Sequence, residues 1–176
     1  MSAATAEQLK AAVRDVPDFP IPGILFKDIT PILGDPRLFR AAVGLFAERH
    51  AARPPDRIAV MEARGFLFGA ALADRLGVGL AVIRKKGKLP YRAVEASYAL
   101  EYGTATLQLH EDAVRPGERV LLLDDLLATG GTAAACAGLI ERLGGRVTEM
   151  DFLIELAFLR GREKLTGRTV FAPIVF

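Results

Sequence analysis

Along the chain, apolar and polar positions follow two different periods. Leu38, Phe39, Ala42, Val43 and Phe46 recur at the spacing of one buried helical face. Asp35-Pro36 ahead of them reads as an N-cap followed by proline at the first helical position. Earlier, Thr5-Ala6-Glu7-Gln8 fits a capping box, and Leu9, Ala12 and Val13 share a face, which predicts a short first helix. Asp18 to Gly23, with Pro20 and Pro22, breaks that helix into an extended, turning segment that Ile24-Leu25-Phe26 continues. Ile58 to Met61 and Gly79 to Ile83 read as buried strands. Between them Gly65-Phe66 opens a helix that runs to about Leu76 and is closed by Gly77.

The pattern then repeats. Val120 to Leu123 is apolar without alternation, as in a parallel strand covered on both faces. Thr132 to Leu143 reads as a helix ended by Gly144-Gly145, and Val147 to Glu155 as a returning strand. Two strand–helix–strand units predict an α/β fold, a mostly parallel twisted sheet flanked by helices. Lys85 to about Tyr102 is polar and too long for a plain connector, so it is read as a flexible lid loop over an active site. Tyr102 to His110 looks like a strand or hairpin arm.

Composition narrows the class. A chain of 176 residues suits one domain, residues 1–176. At that length about 70% of the unfolded surface can be buried without disulfide or metal staples. With 23 Lys+Arg against 21 Asp+Glu, the net charge of +2 gives no electrostatic argument for a nucleic-acid or membrane partner. Glu7, Lys10, Arg14 and Asp15 leave no secretory apolar region, and no apolar run approaches the ~20 residues of a membrane span. Cys136 is the only cysteine, which fits a reducing, cytoplasmic compartment, and its helical context predicts core packing. His50 and His110 have no partners at metal-ligand spacing, so no metal held by the protein alone is expected.

Chemistry concentrates in Val120–Thr132, VLLLDDLLATGGT. In open parallel sheets, ligands bind beyond the carboxyl ends of strands, where Asp124-Asp125 is expected. Ala128-Thr129-Gly130-Gly131-Thr132 follows. Its glycines let several backbone N–H groups converge, the next helix adds its positive end, and two threonines add hydroxyl donors. This is a phosphate cradle. It lacks the lysine of a Walker loop and the G-x-G-x-x-G of a dinucleotide site. A carboxylate accepts hydrogen bonds and a ribose offers vicinal hydroxyls, so cradle and acidic pair together read as a ribose 5-phosphate site.

Val120–Thr132 closely resembles the PRPP-binding motif of type I phosphoribosyltransferases. Three further segments resemble the adenine-specific members of that family: Phe19-Pro20-Ile21-Pro22-Gly23-Ile24-Leu25-Phe26-Lys27-Asp28-Ile29, Glu62-Ala63-Arg64-Gly65-Phe66-Leu67-Phe68-Gly69 and Ala96-Ser97-Tyr98-Ala99-Leu100-Glu101-Tyr102-Gly103. With Arg84-Lys85-Lys86-Gly87-Lys88-Leu89-Pro90 they cover most of the chain in the family's order.

The resemblance implies the type I phosphoribosyltransferase fold, with a small N-terminal hood (about 1–34) and a lid (about 85–102). It implies the reaction adenine + PRPP giving AMP + pyrophosphate, part of purine salvage, with Mg²⁺ carried mainly by substrate and water, and a homodimer. Asp124, Asp125, Ala128, Thr129, Gly130, Gly131 and Thr132 would hold the ribose phosphate. Ala63, Arg64 and Gly65, with a cis peptide at Glu62-Ala63, would face pyrophosphate together with Arg84, Lys85 and Lys88. Either Lys85 or Lys88 could reach the neighbouring subunit's site. Leu25, Phe26 and Lys27 would bind adenine, Phe26 by stacking and the others by backbone groups. Glu101 would handle the proton as N9 bonds to the sugar. Two alternatives are a related purine or xanthine phosphoribosyltransferase and a PRPP-sensing regulator without turnover. Glu101 and the absence of a basic appendage favour the enzyme.

Overall fold

The structure, a computed structural model, describes residues 5–99 and 104–176. Helix α1 (Ala6–Ala12) carries the predicted capping box: the Thr5 hydroxyl accepts from the Gln8 N–H, and the Gln8 side chain answers at the Thr5 N–H. A two-stranded antiparallel ribbon follows, β1 (Arg14–Pro17) on β2 (Leu25–Asp28). β1 was not legible as a strand, because its four residues show no apolar alternation. The turn between them contains a cis Phe19-Pro20 bond, and the Asp18 carboxylate accepts the Gly23 N–H at 2.7 Å.

Short α2 (Thr30–Gly34) leads to α3 (Pro36–His50), where Asp35 caps the N–H groups of Arg37 and Leu38. Then come β3 (Arg57–Met61), α4 (Gly65–Leu76), β4 (Gly79–Lys85), β5 (Ala93–Ala99), β6 (Thr104–His110), β7 (Arg119–Leu127), α5 (Gly131–Arg142) and β8 (Arg146–Glu155). Two 3₁₀ turns, Ala157–Leu159 and Gly161–Leu165, precede β9 (Val170–Phe171) and β10 (Ile174–Val175). None of the described helices is long and apolar enough to cross a membrane.

The main sheet runs β10-β8-β7-β3-β4-β6-β5, with β9 also on β8. From β10 to β4 all pairs are parallel; β4–β6 and β6–β5 are antiparallel. Successive side chains of a strand face opposite sides. Ile58, Val60, Leu121 and Leu123 therefore pack under α1–α4, and Ala59, Met61, Val120 and Leu122 pack against α5. Both faces are covered, which is why these strands read as unbroken apolar runs.

Two expectations need correction. The polar stretch read as a lid loop from Lys85 is largely an ordered arm: β5 pairs with β6 over seven residues, Ala93↔His110 to Ala99↔Thr104. Val94, Ala96 and Tyr98 pack on the core at every second position, a strand period spread over small and polar residues. The second concerns β7, which does not stop at Leu123 but continues through both aspartates to Leu127. Its neighbour β3 pairs with it only as far as Val60↔Leu123, whereas β8 follows it to Leu127↔Glu155. The acidic pair thus stands where one neighbouring strand has ended and the other goes on.

Candidate active site

The edge left open by β3 is filled by the turn into α4. Glu62-Ala63 is a cis peptide, and Gly65 packs so tightly that a Cβ there would sit 2.7 Å from Asp124 Oδ1 and 3.1 Å from the Leu123 carbonyl. This approach brings the Arg64 guanidinium onto Asp125, with Nε donating to Oδ2. Asp125 is buried, 5% exposed. Burial works most strongly against the Arg64 charge, but Asp125, aided by Asp124 and Asp28, raises its hold on the proton.

Asp124 is in a different state. Its Oδ1 accepts the Asp125 N–H at 2.9 Å. Burial pushes its carboxyl well above the ordinary range, and the neighbouring Asp125 charge adds to that. An acid with a raised folded pKa favours the folded state most below its unfolded pKa, here 3.8. That contribution is lost as pH rises from there through the folded value, so at pH 7 the burial of this carboxyl weighs against stability. Asp124→Asn is therefore expected to raise Tm at pH 7 by roughly 2–4 °C, the shift that about 1 kcal/mol gives in a chain of this size. Near pH 3.8 the gain should disappear. A lower Tm for D124N at pH 7 would contradict this account.

Beyond β7, residues 128–130 form the loop, and Gly130, in the left-handed region at φ 77°, is the N-cap of α5. The loop, the acidic pair and the Arg64 turn line one cavity of ≈ 260 Å³. Of the residues singled out from sequence, Ala63, Arg64, Lys85, Asp124, Asp125, Ala128, Thr129, Gly130 and Thr132 face it. Gly65 backs Asp124, and Gly131 is the first residue of α5.

The basic run is split by the strand. Lys85 lines the cavity, but Arg84 bonds Glu62 at 2.9 Å and the Lys88 carbonyl at 3.2 Å. Lys86 pairs with Glu95 at 2.8 Å, and Lys88 is exposed away from the cavity lining. In the hood, Phe26 meets Phe19 edge-on at 5.1 Å, and the Arg64 guanidinium lies 5.9 Å from its ring. The Lys27 ammonium is committed to Asp15 (2.6 Å) and to the Phe176 ring (4.1 Å). β2 has only β1 as a described strand partner, so its other edge is left for backbone hydrogen bonds. Glu101 lies outside the described residues.

Tyr98 was not singled out by its chemistry. It lines the cavity, and the Thr132 hydroxyl donates to its oxygen at 3.0 Å, tying the β5 arm to the phosphate loop. Its signal was the Val94–Ala96–Tyr98 alternation. His50 also needs correction: β8, a hundred residues on, brings Asp151 to 2.8 Å from its Nε2, with Glu149 in the same cluster. Arg49 holds Glu149 at 2.6 Å, so one of the two carboxylates in the cluster already has a cation.

A sequence model of the phosphoribosyl transferase domain matches residues 29–164. The chain is 51% identical over 170 residues to the adenine phosphoribosyltransferase of Syntrophotalea carbinolica, covering 97% of this chain and 99% of that one. It is 52% identical over 172 residues to that of Chloroflexus aurantiacus, covering 98% and 99%. The fold superposes on the crystal structure of adenine phosphoribosyltransferase from Thermoanaerobacter pseudethanolicus with a TM-score of 0.94 and 52% identity, covering 98% of this chain and 100% of that one. It also superposes on the Saccharomyces cerevisiae enzyme complexed with an imino-altritol bisphosphate and adenine, with a TM-score of 0.91 and 42% identity over 96% and 98%.

Proposed function

The chain belongs to the phosphoribosyltransferase family, among its adenine-specific enzymes, and on that premise we propose how its residues move a phosphoribosyl group from PRPP to adenine. The reaction is a pentosyl transfer that yields AMP and pyrophosphate in purine salvage. The bond from C1′ to the pyrophosphate oxygen breaks, and its electron pair leaves with pyrophosphate. Adenine N9 forms the new bond to C1′ and loses its proton.

The observation that carries the residue roles is the convergence of Arg64, Asp124-Asp125 and the Ala128–Thr132 loop on one cavity. The loop N–H groups, with the Thr129 hydroxyl and a Thr132 hydroxyl turned away from Tyr98, bind the 5′-phosphate at the positive end of α5. Asp124 and Asp125 accept from the ribose hydroxyls. Arg64 and Lys85, with the Ala63-Gly65 backbone, take up the charge of the leaving pyrophosphate. Arg84 holds the Glu62 side of that turn in place. Phe26 stacks on the base, while the free backbone edge of β2 near Leu25 and Lys27 donates to N1 and accepts from the 6-amino group. Glu101 receives the N9 proton.

Of two adjacent carboxylates only Asp125 is paired with a guanidinium, which leaves charge for a further cation, and carboxylate oxygens suit a hard one. Mg²⁺ would be held mainly by pyrophosphate, ribose and water, and Asp124 and Asp125 would be the protein residues that face it. When bound, it would supply charge neutralisation on the departing phosphates.

The whole chain acts as a single transferase domain in this reading, and a homodimer is the assembly the family resemblance implies. A cytoplasmic location accords with the lone, buried Cys136.

The test is a PRPP- and Mg²⁺-dependent assay of pyrophosphate release with adenine, hypoxanthine, guanine and xanthine. A 6-oxo purine reverses the polarity at N1 and C6 and leaves buried groups unpaired. Sites that read a base by hydrogen bonds reject such analogues by factors on the order of 10⁴. Adenine should dominate by at least ~10³; turnover of hypoxanthine in preference to adenine would overturn the base assignment.

A further inference from the structure

The Ala128–Thr132 loop carries no cation of its own, although the group it is proposed to hold has a charge near −2. The fold brings one from elsewhere. Lys164 lies in the 3₁₀ turn Gly161–Leu165, and its Nζ is 3.9 Å from where a Cβ on Gly131 would stand. A second, independent feature shows that this approach is built in. A Cβ on Gly130 would come within 2.2 Å of the Gly161 carbonyl oxygen, and a Cβ on Gly161 within 2.2 Å of the Ala128 carbonyl oxygen. Two bare backbones are therefore pressed together, and only glycine on both sides allows it.

The turn is anchored on either side of Lys164. The Arg162 guanidinium bonds the buried Glu155 at 2.7 and 2.9 Å, and Leu165 is buried in the core at 2% exposure. Among the described residues Lys164 itself makes no ion pair or hydrogen bond. It is an exposed ammonium left over, on an anchored turn, at the positive end of α5 where the phosphate loop ends.

We propose that Lys164 is a binding residue for the 5′-phosphate, standing in for the lysine that the loop motif lacks. The inference rests on the proposed function. The ammonium stands beside Gly131, outside the cavity lining, and acts on the phosphate charge from there. Its contribution should be modest and sensitive to salt.

The test measures dissociation constants for AMP and for adenosine, its phosphate-free counterpart, in the wild-type protein, K164A and K164R. K164A should weaken AMP about 5–30-fold and leave adenosine within twofold. K164R should recover most of the loss, and raising the salt should shrink it. The proposal is overturned if AMP binds K164A within twofold of wild type, or if AMP and adenosine weaken equally. Failure of the wild type to bind AMP would sink the proposed function itself, which separates the two failures. Unchanged Tm in K164A, expected for an exposed side chain, excludes a folding defect as the cause of the loss.

Discussion

Gly130→Ala should abolish most PRPP and AMP binding, with affinity falling at least ~100-fold, while the fold survives at a lower Tm. Two effects combine at this position. The backbone has φ +77°, a conformation that costs an L residue roughly 1–2 kcal/mol. In addition, the new methyl would lie 2.2 Å from the Gly161 carbonyl oxygen, a backbone atom that cannot rotate away. Either the phosphate loop or the Gly161–Leu165 turn must move. The loop is the freer partner, because the turn is held by Leu165 and by the Arg162–Glu155 pair. The displaced loop would lose the alignment of its N–H groups. Positioning effects of about 1 Å cost on the order of 10²-fold in such sites. Gly167→Ala separates the causes: its φ is +79°, but nothing lies within 4 Å of the added Cβ. That variant should show the conformational penalty alone, a few degrees of Tm with AMP affinity unchanged. If Gly130→Ala binds AMP within threefold of wild type, the loop is not held by this contact and the cradle assignment fails.

This contrast shows which parts of the site a sequence can display. Asp124-Asp125 and Ala128–Thr132 were legible because strand, acidic pair and phosphate loop are contiguous, so their chemistry appears as one short string. Arg64 was legible as a candidate, but its pairing with Asp125 spans 61 positions and had to come from the fold. Gly161 and Lys164 gave no local signal at all. Their meaning lies in what they touch, and a glycine or lysine in a polar turn is ordinary. The β5 arm had a signal that was misjudged. Its period of two was carried by Val94, Ala96 and Tyr98, and the intervening Glu95 and Ser97 made the stretch look like a loop. The opposite error occurred at β7, where two charges suggested a strand end. Asp124 and Asp125 extend β7 because β8 continues to pair with it, Asp124 opposite Phe152 and Leu127 opposite Glu155, and neither the composition nor the period of β7 itself shows that neighbour. His50 follows the same logic: no spacing rule connects it to Asp151, and the fold does so by bringing the end of α3 onto β8.

Arg64→Ala should lower kcat/KM for PRPP by roughly 10²–10³, the range seen when one preorganised charge-stabilising group is removed. The variant removes a cation that meets both the leaving pyrophosphate and the buried Asp125. Left alone, Asp125 is 5% exposed and adjacent to another carboxylate. Breaking a fully buried pair costs about 3–5 kcal/mol, but the Arg64 side chain is 47% exposed and water screens part of the loss, so about 1–2 kcal/mol applies. In Tm this is a fall of roughly 3–6 °C. Arg64→Lys keeps the charge without the planar fork and should lie between wild type and the alanine variant. The structural and chemical roles come apart in Arg64→Ala/Asp125→Asn, where the orphaned charge is gone. Its Tm should return to within about 2 °C of wild type, while the KM for pyrophosphate in the reverse reaction stays raised at least tenfold. Recovery of stability together with a normal pyrophosphate KM would mean that Arg64 serves only to neutralise Asp125, and that the leaving group is held by Lys85 and the backbone of the Ala63–Gly65 turn without it.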